Sequence, residues 1–179
     1  MKTTDLRLVE TGDGGDLVLR GNDVEMISGL QNMPYIAMFG GNPEQSTVGA
    51  KNTEQAFDFW GNFLINPNDQ PIWFNSLTER LLDTISLSPI TRIEIQETVK
   101  KDLEFILKFA QVSVEVFLIS VDRIRIEIKI QEPDNLSSEL FKYIWDATQQ
   151  ELQEIPTTGL PLGNQNMYIN NDYIDDYFI

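Results

Sequence analysis

The sequence predicts an α+β fold: an N-terminal hairpin, three helices and an antiparallel β-hairpin with an open edge, followed by a C-terminal extension. Three observations predict it. Leucines alternate on both sides of the tetrad Gly12-Asp13-Gly14-Gly15, two capping boxes open apolar stripes of helical period, and after Ala110 the period changes from about 3.6 to 2. At 179 residues the chain is long enough for one core, so residues 1–155 are read as one domain and 156–179 as an extended arm. No internal repeat is evident.

Leu6, Leu8 and Val9, then Leu17 and Leu19, read as paired strands, with the glycines supplying the positive dihedrals of the turn. A phosphate cradle is disfavoured there, since no Lys-Ser/Thr pair follows and Asp13 and Asp16 repel phosphate. From Ser28 to Phe39 the positions Leu30, Met33, Ile36 and Ala37 fit a helical stripe capped by Ser28 and ended by Gly40-Gly41-Asn42-Pro43. Residues 40–56 read as a polar loop, and Phe57-Asp58-Phe59-Trp60-Gly61-Asn62-Phe63 as either a packing anchor or an interface hot spot.

Ser76-Leu77-Thr78-Glu79 is a capping box, opening a helix with the stripe Leu77, Leu81, Leu82 and Ile85 that Pro89 ends. Thr91-Arg92-Ile93-Glu94 is a second, with Ile90 and Ile95 at the positions of a hydrophobic staple. The face of that helix runs Ile95, Val99, Leu103, Ile106, Ala110, and Glu97 with Lys101 and Glu104 with Lys108 form solvated pairs. Val112, Val114 and Val116 then alternate with Ser113, Glu115 and Phe117. After a turn near Ser120 to Arg123, Ile124, Ile126, Ile128 and Ile130 alternate with Arg125, Glu127 and Lys129. A one-residue slip would expose all four isoleucines, which fixes the register. Beyond Pro133, Leu136, Leu140, Phe141, Ile144, Trp145, Thr148 and Leu152 fit a helix from near Asn135, while Phe141, Tyr143 and Trp145 equally fit a strand.

Composition narrows function. With no His and no Cys, a Ser-His-Asp or Cys-His relay, an imidazole zinc site, an Fe–S cluster and a disulfide framework are excluded. The net charge is −15, from 13 basic and 28 acidic residues, which opposes nucleic-acid binding. Residues 1–79 hold 4 basic and 11 acidic side chains, 80–131 hold 8 and 8, and 132–179 hold 1 and 9, so the ends favour basic partner surfaces. No apolar run approaches the ~20 residues of a membrane span, and the N-terminus lacks the apolar core of a signal peptide.

The order of these pieces resembles a known family. The stretches are Asp5-Leu6-Arg7-Leu8 with Gly15-Asp16-Leu17-Val18-Leu19, Gly29-Leu30-Gln31-Asn32, Phe39-Gly40-Gly41-Asn42, and Phe57-Asp58-Phe59-Trp60-Gly61-Asn62. They continue through Ser76-Leu77-Thr78-Glu79-Arg80 and residues 91–130 to Tyr143-Ile144-Trp145-Asp146, covering roughly 5–146. Together they resemble the Mu-like phage baseplate wedge proteins, relatives of the inner-wedge, sheath-initiating proteins once described as lysozyme-like. The chain runs past the end of the family pattern and shows no placeable Glu-Pro-Arg signature of the inner-wedge relatives.

The resemblance implies a structural part of a contractile-tail baseplate, without enzymatic activity or cofactor. It would join wedge subunits and offer a β-edge to the first sheath ring, with the tail tube or hub as further neighbours, in multiple copies of a symmetric virion assembled in the host cytoplasm. Partner-binding residues are then expected at Phe59, Trp60 and Asn62, at Arg123, Arg125, Glu127 and Lys129, and, on an arm ordered by a neighbouring subunit, at Tyr168, Tyr173, Tyr177 and Phe178. The alternative is a carboxylate-dependent cell-wall glycoside hydrolase, for which Asp58 and Glu115 are the acids nearest to an apolar setting. Asp172, Asp175 and Asp176 lack the alternating spacing of a calcium loop, so no metal is expected.

Overall fold

Three short strand segments near the N-terminus each change partner at their midpoint. The computed structural model describes residues 4–10, 15–28, 30–40, 74–133 and 138–155. In it β1 (Thr4–Leu6) pairs with β6 (Met26–Ser28), β2 (Leu8–Glu10) with β3 (Gly15–Leu17), and β4 (Leu19–Arg20) with β5 (Asp23–Val24), all antiparallel. Where the three ribbons meet, main-chain bonds close a ring: Arg7 N–H to the Glu25 carbonyl (2.9 Å), Glu25 N–H to Val18 (2.8 Å), and Val18 N–H to Arg7 (3.1 Å).

The hairpin predicted from the glycine tetrad is thus one ribbon of three. Asp5-Leu6-Arg7-Leu8, Asp16-Leu17-Val18-Leu19 and Asp23-Val24-Glu25-Met26 each read Asp-apolar-x-apolar, and each Asp carboxylate accepts the N–H of the residue after it at 2.7–2.8 Å. Gly21, at φ 68, turns the β4–β5 ribbon, a left-handed conformation that glycine adopts without steric cost.

Helix α1 spans Met33–Phe39, not 28–39. Pro34 stands in its first turn, where a missing N–H costs nothing. Asn32, immediately before the helix, makes no capping bond: its amide donates to the Leu6 carbonyl (2.6 Å) and Asp5 Oδ2 (2.9 Å), and its Oδ1 accepts Leu8 N–H (3.1 Å). The buried face of α1 is Tyr35, Ala37, Met38 and Phe39, with Leu30, Met33 and Ile36 half-buried beside it.

Helix α2 (Leu77–Thr84) begins where the capping box predicts, but the Ser76 hydroxyl does not cap it. Ser76 sits at φ 45 with no capping bond from its side chain. The start of the helix is capped from elsewhere: Asp102 accepts Leu77 N–H (3.1 Å), Thr78 N–H (2.7 Å) and the Thr78 hydroxyl (2.8 Å). The helix also ends at Thr84, before Pro89.

That proline belongs to the next element. Ahead of α3 (Thr91–Asp102), Ser88 and Thr91 cap each other, Thr91 N–H donating to Ser88 Oγ (3.1 Å) and Ser88 N–H to Thr91 Oγ1 (2.8 Å). The box therefore lies three residues upstream of the one predicted. Ile90 is 82% exposed and forms no staple, and Glu97 pairs with Lys100 at 2.7 Å instead of with Lys101. After Asp102 the chain tightens into a 3₁₀ turn (Glu104–Lys108), yet Ile95, Val99, Leu103, Ile106 and Ala110 are all buried, as the stripe predicts.

The remaining strands, β7 (Gln111–Leu118), β8 (Arg123–Gln131), β9 (Glu139–Asp146) and β10 (Glu151–Ile155), form an antiparallel sheet in the order β10-β9-β8-β7. The strand reading of 141–145 holds and the helix reading is overturned. Phe141, Tyr143 and Trp145 lie directly opposite Ile128, Ile126 and Ile124, with Leu152 opposite Trp145, so period 2 buries all of them on one face. Helix α3 packs on β7 and α1 reaches the sheet through Phe39, whose ring lies 5.8 Å from that of Tyr143, while α2 packs against α1 and α3. The molecule is thus a mixed fold of three helices and antiparallel sheets among its described residues.

Candidate functional site

The face of the sheet opposite the isoleucines carries four of the side chains that sequence reasoning assigned to partners. Arg123, Arg125, Glu127 and Lys129 alternate along β8 and share that face with Asp146, Ile144, Lys142 and Leu140 of β9 and with Phe117, Glu115 and Ser113 of β7. Phe59, Trp60 and Asn62, the acid Asp58, and Tyr168, Tyr173, Tyr177 and Phe178 lie outside the described residues.

β8 is flanked by β7 and β9, so Arg123, Arg125, Glu127 and Lys129 belong to an inner strand and cannot themselves present an edge. The edge belongs to β7. Ile119 N–H bonds the Arg123 carbonyl, and antiparallel alternation then turns the main-chain groups of Val112, Val114 and Val116 away from β8. Arg92 of α3 reaches this margin, its Nη1 donating to the Val116 carbonyl at 3.0 Å. No described strand lies beyond β7.

On the face itself the charges are largely matched. Glu127 Oε1 lies 3.0 Å from Arg125 Nε and 3.3 Å from Lys142 Nζ, and Arg125 is stacked 4.8 Å from the Phe117 ring centroid. At one end Arg123 Nε donates to Asp146 Oδ2 at 2.8 Å. Burial raises the Asp146 pKa, but the N–H groups of Gln149 and Thr148 and the Arg123 guanidinium outweigh it, leaving that carboxyl below the usual range. Glu115 stands directly opposite Glu127 with no ion pair among the described residues, and is exposed. That exposure removes the apolar setting the hydrolase reading required of it.

A second polar group lies where the three-ribbon module meets the sheet. The Tyr35 hydroxyl donates to Glu10 Oε2 at 2.6 Å, Glu10 is buried at 6% exposure, and Glu154 of β10 accepts Glu10 N–H. Desolvation pushes the Glu154 carboxyl up, opposed by nearby Arg7 and that N–H bond and assisted by Glu10. Tyr143, directly opposite Glu154, is fully buried and its hydroxyl has no partner among the described residues. Burial likewise raises both tyrosines.

Sequence reasoning missed this group because Glu10 and Glu154 are far apart in the chain. It also missed the apolar face of the ribbon module, whose repeated Asp-apolar-x-apolar tetrads were the available signal. Among the described residues no set of acidic side chains is arranged to hold a metal, and no helix is long and apolar enough to cross a membrane. No family model, no curated protein and no solved structure matches the chain.

Proposed function

We propose that the protein is a structural component of a contractile-tail baseplate, an inner-wedge part that joins wedge subunits and offers a β-edge to the first ring of sheath. The observation that carries this reading is the strand order: β7 ends the sheet with the main-chain groups of Val112 and Val114 directed outward. An extended segment of another chain can hydrogen-bond to such a row, while side chains on alternate sides select the partner. The family resemblance supplies the identity of that partner. The ion-paired face beside the edge, Arg123, Arg125, Glu127 and Lys129 with Lys142, is polar enough to stay solvated until a neighbour covers it.

Amide hydrogen exchange tests the edge directly. In the isolated chain the Val112 and Val114 amides exchange fast while those of Ile126 and Tyr143 are protected; in an assembled baseplate all four are protected. Protection of Val112 and Val114 in the isolated chain would mean that the margin is already closed and would remove the reading. Cross-linking on an intact particle then identifies what lies beside residues 111–118.

A further inference from the structure

The margin of β7 is occupied at one point and electrostatically unbalanced beside it. The main-chain groups of Val112, Val114 and Val116 turn away from β8. The Val116 carbonyl already accepts Nη1 of Arg92 at 3.0 Å, so a neighbouring strand meets a full pair of groups at Val112 and Val114 and a carbonyl already taken at Val116. Arg92 makes no ion pair among the described residues, and its guanidinium keeps several further N–H donors. It belongs to α3, which packs on β7, and the Val116 side chain is buried on that same side at 1% exposure. Directly opposite residues share a face. A residue paired with Val116 from outside therefore directs its side chain to the side of the sheet from which Arg92 reaches the margin.

Glu115, one position back, points to the other face, where its neighbour across in β8 is Glu127, a like charge. Glu127 is matched by Arg125 at 3.0 Å and Lys142 at 3.3 Å. Glu115 is exposed and makes no ion pair among the described residues, the diagonal cations Arg125 and Lys129 included. A residue of an inner strand has cross-strand neighbours on both sides, and for Glu115 the remaining side is the outer one.

We infer that the segment received by β7 carries an acidic residue opposite Val116 and a basic residue opposite Glu115, adjacent in its own sequence, and that Arg92 fixes its register. This rests on the reading of β7 as the strand that accepts a neighbour. Every pairing among the described strands is antiparallel, and Val112 and Val114 each offer the N–H and C=O that an antiparallel residue exchanges. An antiparallel neighbour passes Val116 before Glu115, so its order is acidic, then basic. A one-residue slip would turn the acid onto the face of Glu115 and leave Arg92 without a carboxylate. A second copy of β7 does not fit, because Gln111–Leu118 contains no basic residue to stand opposite Glu115.

The test uses the full chain and short extended peptides sharing one host sequence of threonine and valine, titrated while hydrogen exchange follows the Val112 and Val114 amides. The peptide with adjacent Glu-Lys protects both amides. Gln in place of either charge weakens it about two- to fivefold, the range of a partly exposed ion pair. The reversed order, Lys-Glu, weakens it at least as much. In Arg92→Gln the loss on replacing the peptide's Glu disappears and the loss on replacing its Lys remains; in Glu115→Gln the two are exchanged. Unchanged protection of Ile126 and Tyr143 shows each variant to be folded, and the peptide substitutions decide alone for one that is not.

Equal binding by all the peptides, or Lys-Glu binding as tightly as Glu-Lys, overturns the inference and leaves the edge reading standing. If no peptide of the set protects Val112 and Val114, the edge reading itself fails and takes the inference with it.

Discussion

The four-stranded sheet and the three-ribbon module are built from the same pattern, apolar residues alternating with charged ones, and end in opposite states. In the sheet Ile124, Ile126 and Ile128 are completely buried; in the module Leu19 and Met26 are more than half exposed. Strand pairing alone does not explain the difference, since both regions are hydrogen-bonded and both place their apolar side chains on one face. Cover explains it: α3 packs on β7, Phe39 of α1 packs on Tyr143 and Leu82 of α2 joins the same core, whereas Leu6, Leu17, Leu19 and Met26 of the module are exposed. Alternation therefore reveals which residues share a face. Whether that face is core or contact surface depends on what the rest of the chain brings to it.

The largest expected effect draws this line quantitatively. Ile126→Ala removes a completely buried side chain from the middle of the sheet and is expected to lower unfolding free energy by about 2–5 kcal/mol. Leu19→Ala, at 72% exposure, is expected to change it by less than about 0.5 kcal/mol. Equilibrium denaturation of both variants checks the pair, and comparable losses would erase the distinction. A smaller and more local effect is expected at Asn32, whose buried amide holds the first strand of the module to the body through Leu6, Leu8 and Asp5. Asn32→Ala leaves the Leu8 N–H and the Leu6 carbonyl without that partner, a cost of about 1–3 kcal/mol. Hydrogen exchange should accelerate in residues 4–28 and stay unchanged in β7–β9, because the two regions share little apolar packing.

These two regions were also unequally legible in the sequence. The strand carrying Ile124 to Ile130 is readable in full, because period 2 over those seven residues admits one register with a buried face. Its neighbour at 139–146 is ambiguous, since Leu140 and Ile144 interrupt the alternation. The structure puts both on the outer face, half-buried among long polar side chains, where such residues are tolerated.

The helix starts show a different limit. Capping boxes at Ser76 and Thr91 satisfy a local rule, yet the caps come from Asp102, a whole helix away, and from Ser88, one turn earlier. A local motif states that a carboxylate or hydroxyl can cap; tertiary placement decides which one does. In the partner-binding assignment, Arg123, Arg125, Glu127 and Lys129 share a face as their spacing requires. That β8 would be an inner strand was not legible, because membership of an edge depends on how many strands follow, and β10 carries too few apolar residues to announce itself.

The Asp102 cap offers the next test. Asp102→Ala removes three bonds from the start of α2 and is expected to cost about 1–2 kcal/mol, with fraying confined to residues 77–84. Desolvation raises the Asp102 pKa despite those bonds and the nearby Arg80. Asp102→Asn keeps an acceptor and should recover part of the loss. Equal destabilisation by Asn and Ala would show that the charge, not the hydrogen-bond geometry, holds the helix start.

The smallest effect sits at the junction of the two regions and concerns pH. Glu154 is raised above its ordinary value of 4.5, by burial first, so the native state retains the proton where the unfolded chain has lost it. Its contribution is therefore fully present below that ordinary value and is lost as pH rises through the native one. The charged and titratable groups that interact with it are Arg7 and Glu10 from the ribbons, Tyr35 from α1 and Tyr143 from β9. Asp146 works in the opposite sense, lowered by its N–H bonds and Arg123, so its contribution is lost as pH falls.

Glu154→Gln should accordingly flatten the decline in stability on the alkaline side of pH 4.5 and leave the acid limb set by Asp146 intact. Denaturation midpoints measured across that interval check it. If the decline persists unchanged in Glu154→Gln, the seam between module and sheet is not proton-linked through this carboxyl. If instead the variant accelerates exchange in residues 4–28 at every pH, Glu154 holds the module by hydrogen-bond geometry alone, and the two regions are joined more tightly than their difference in burial suggests.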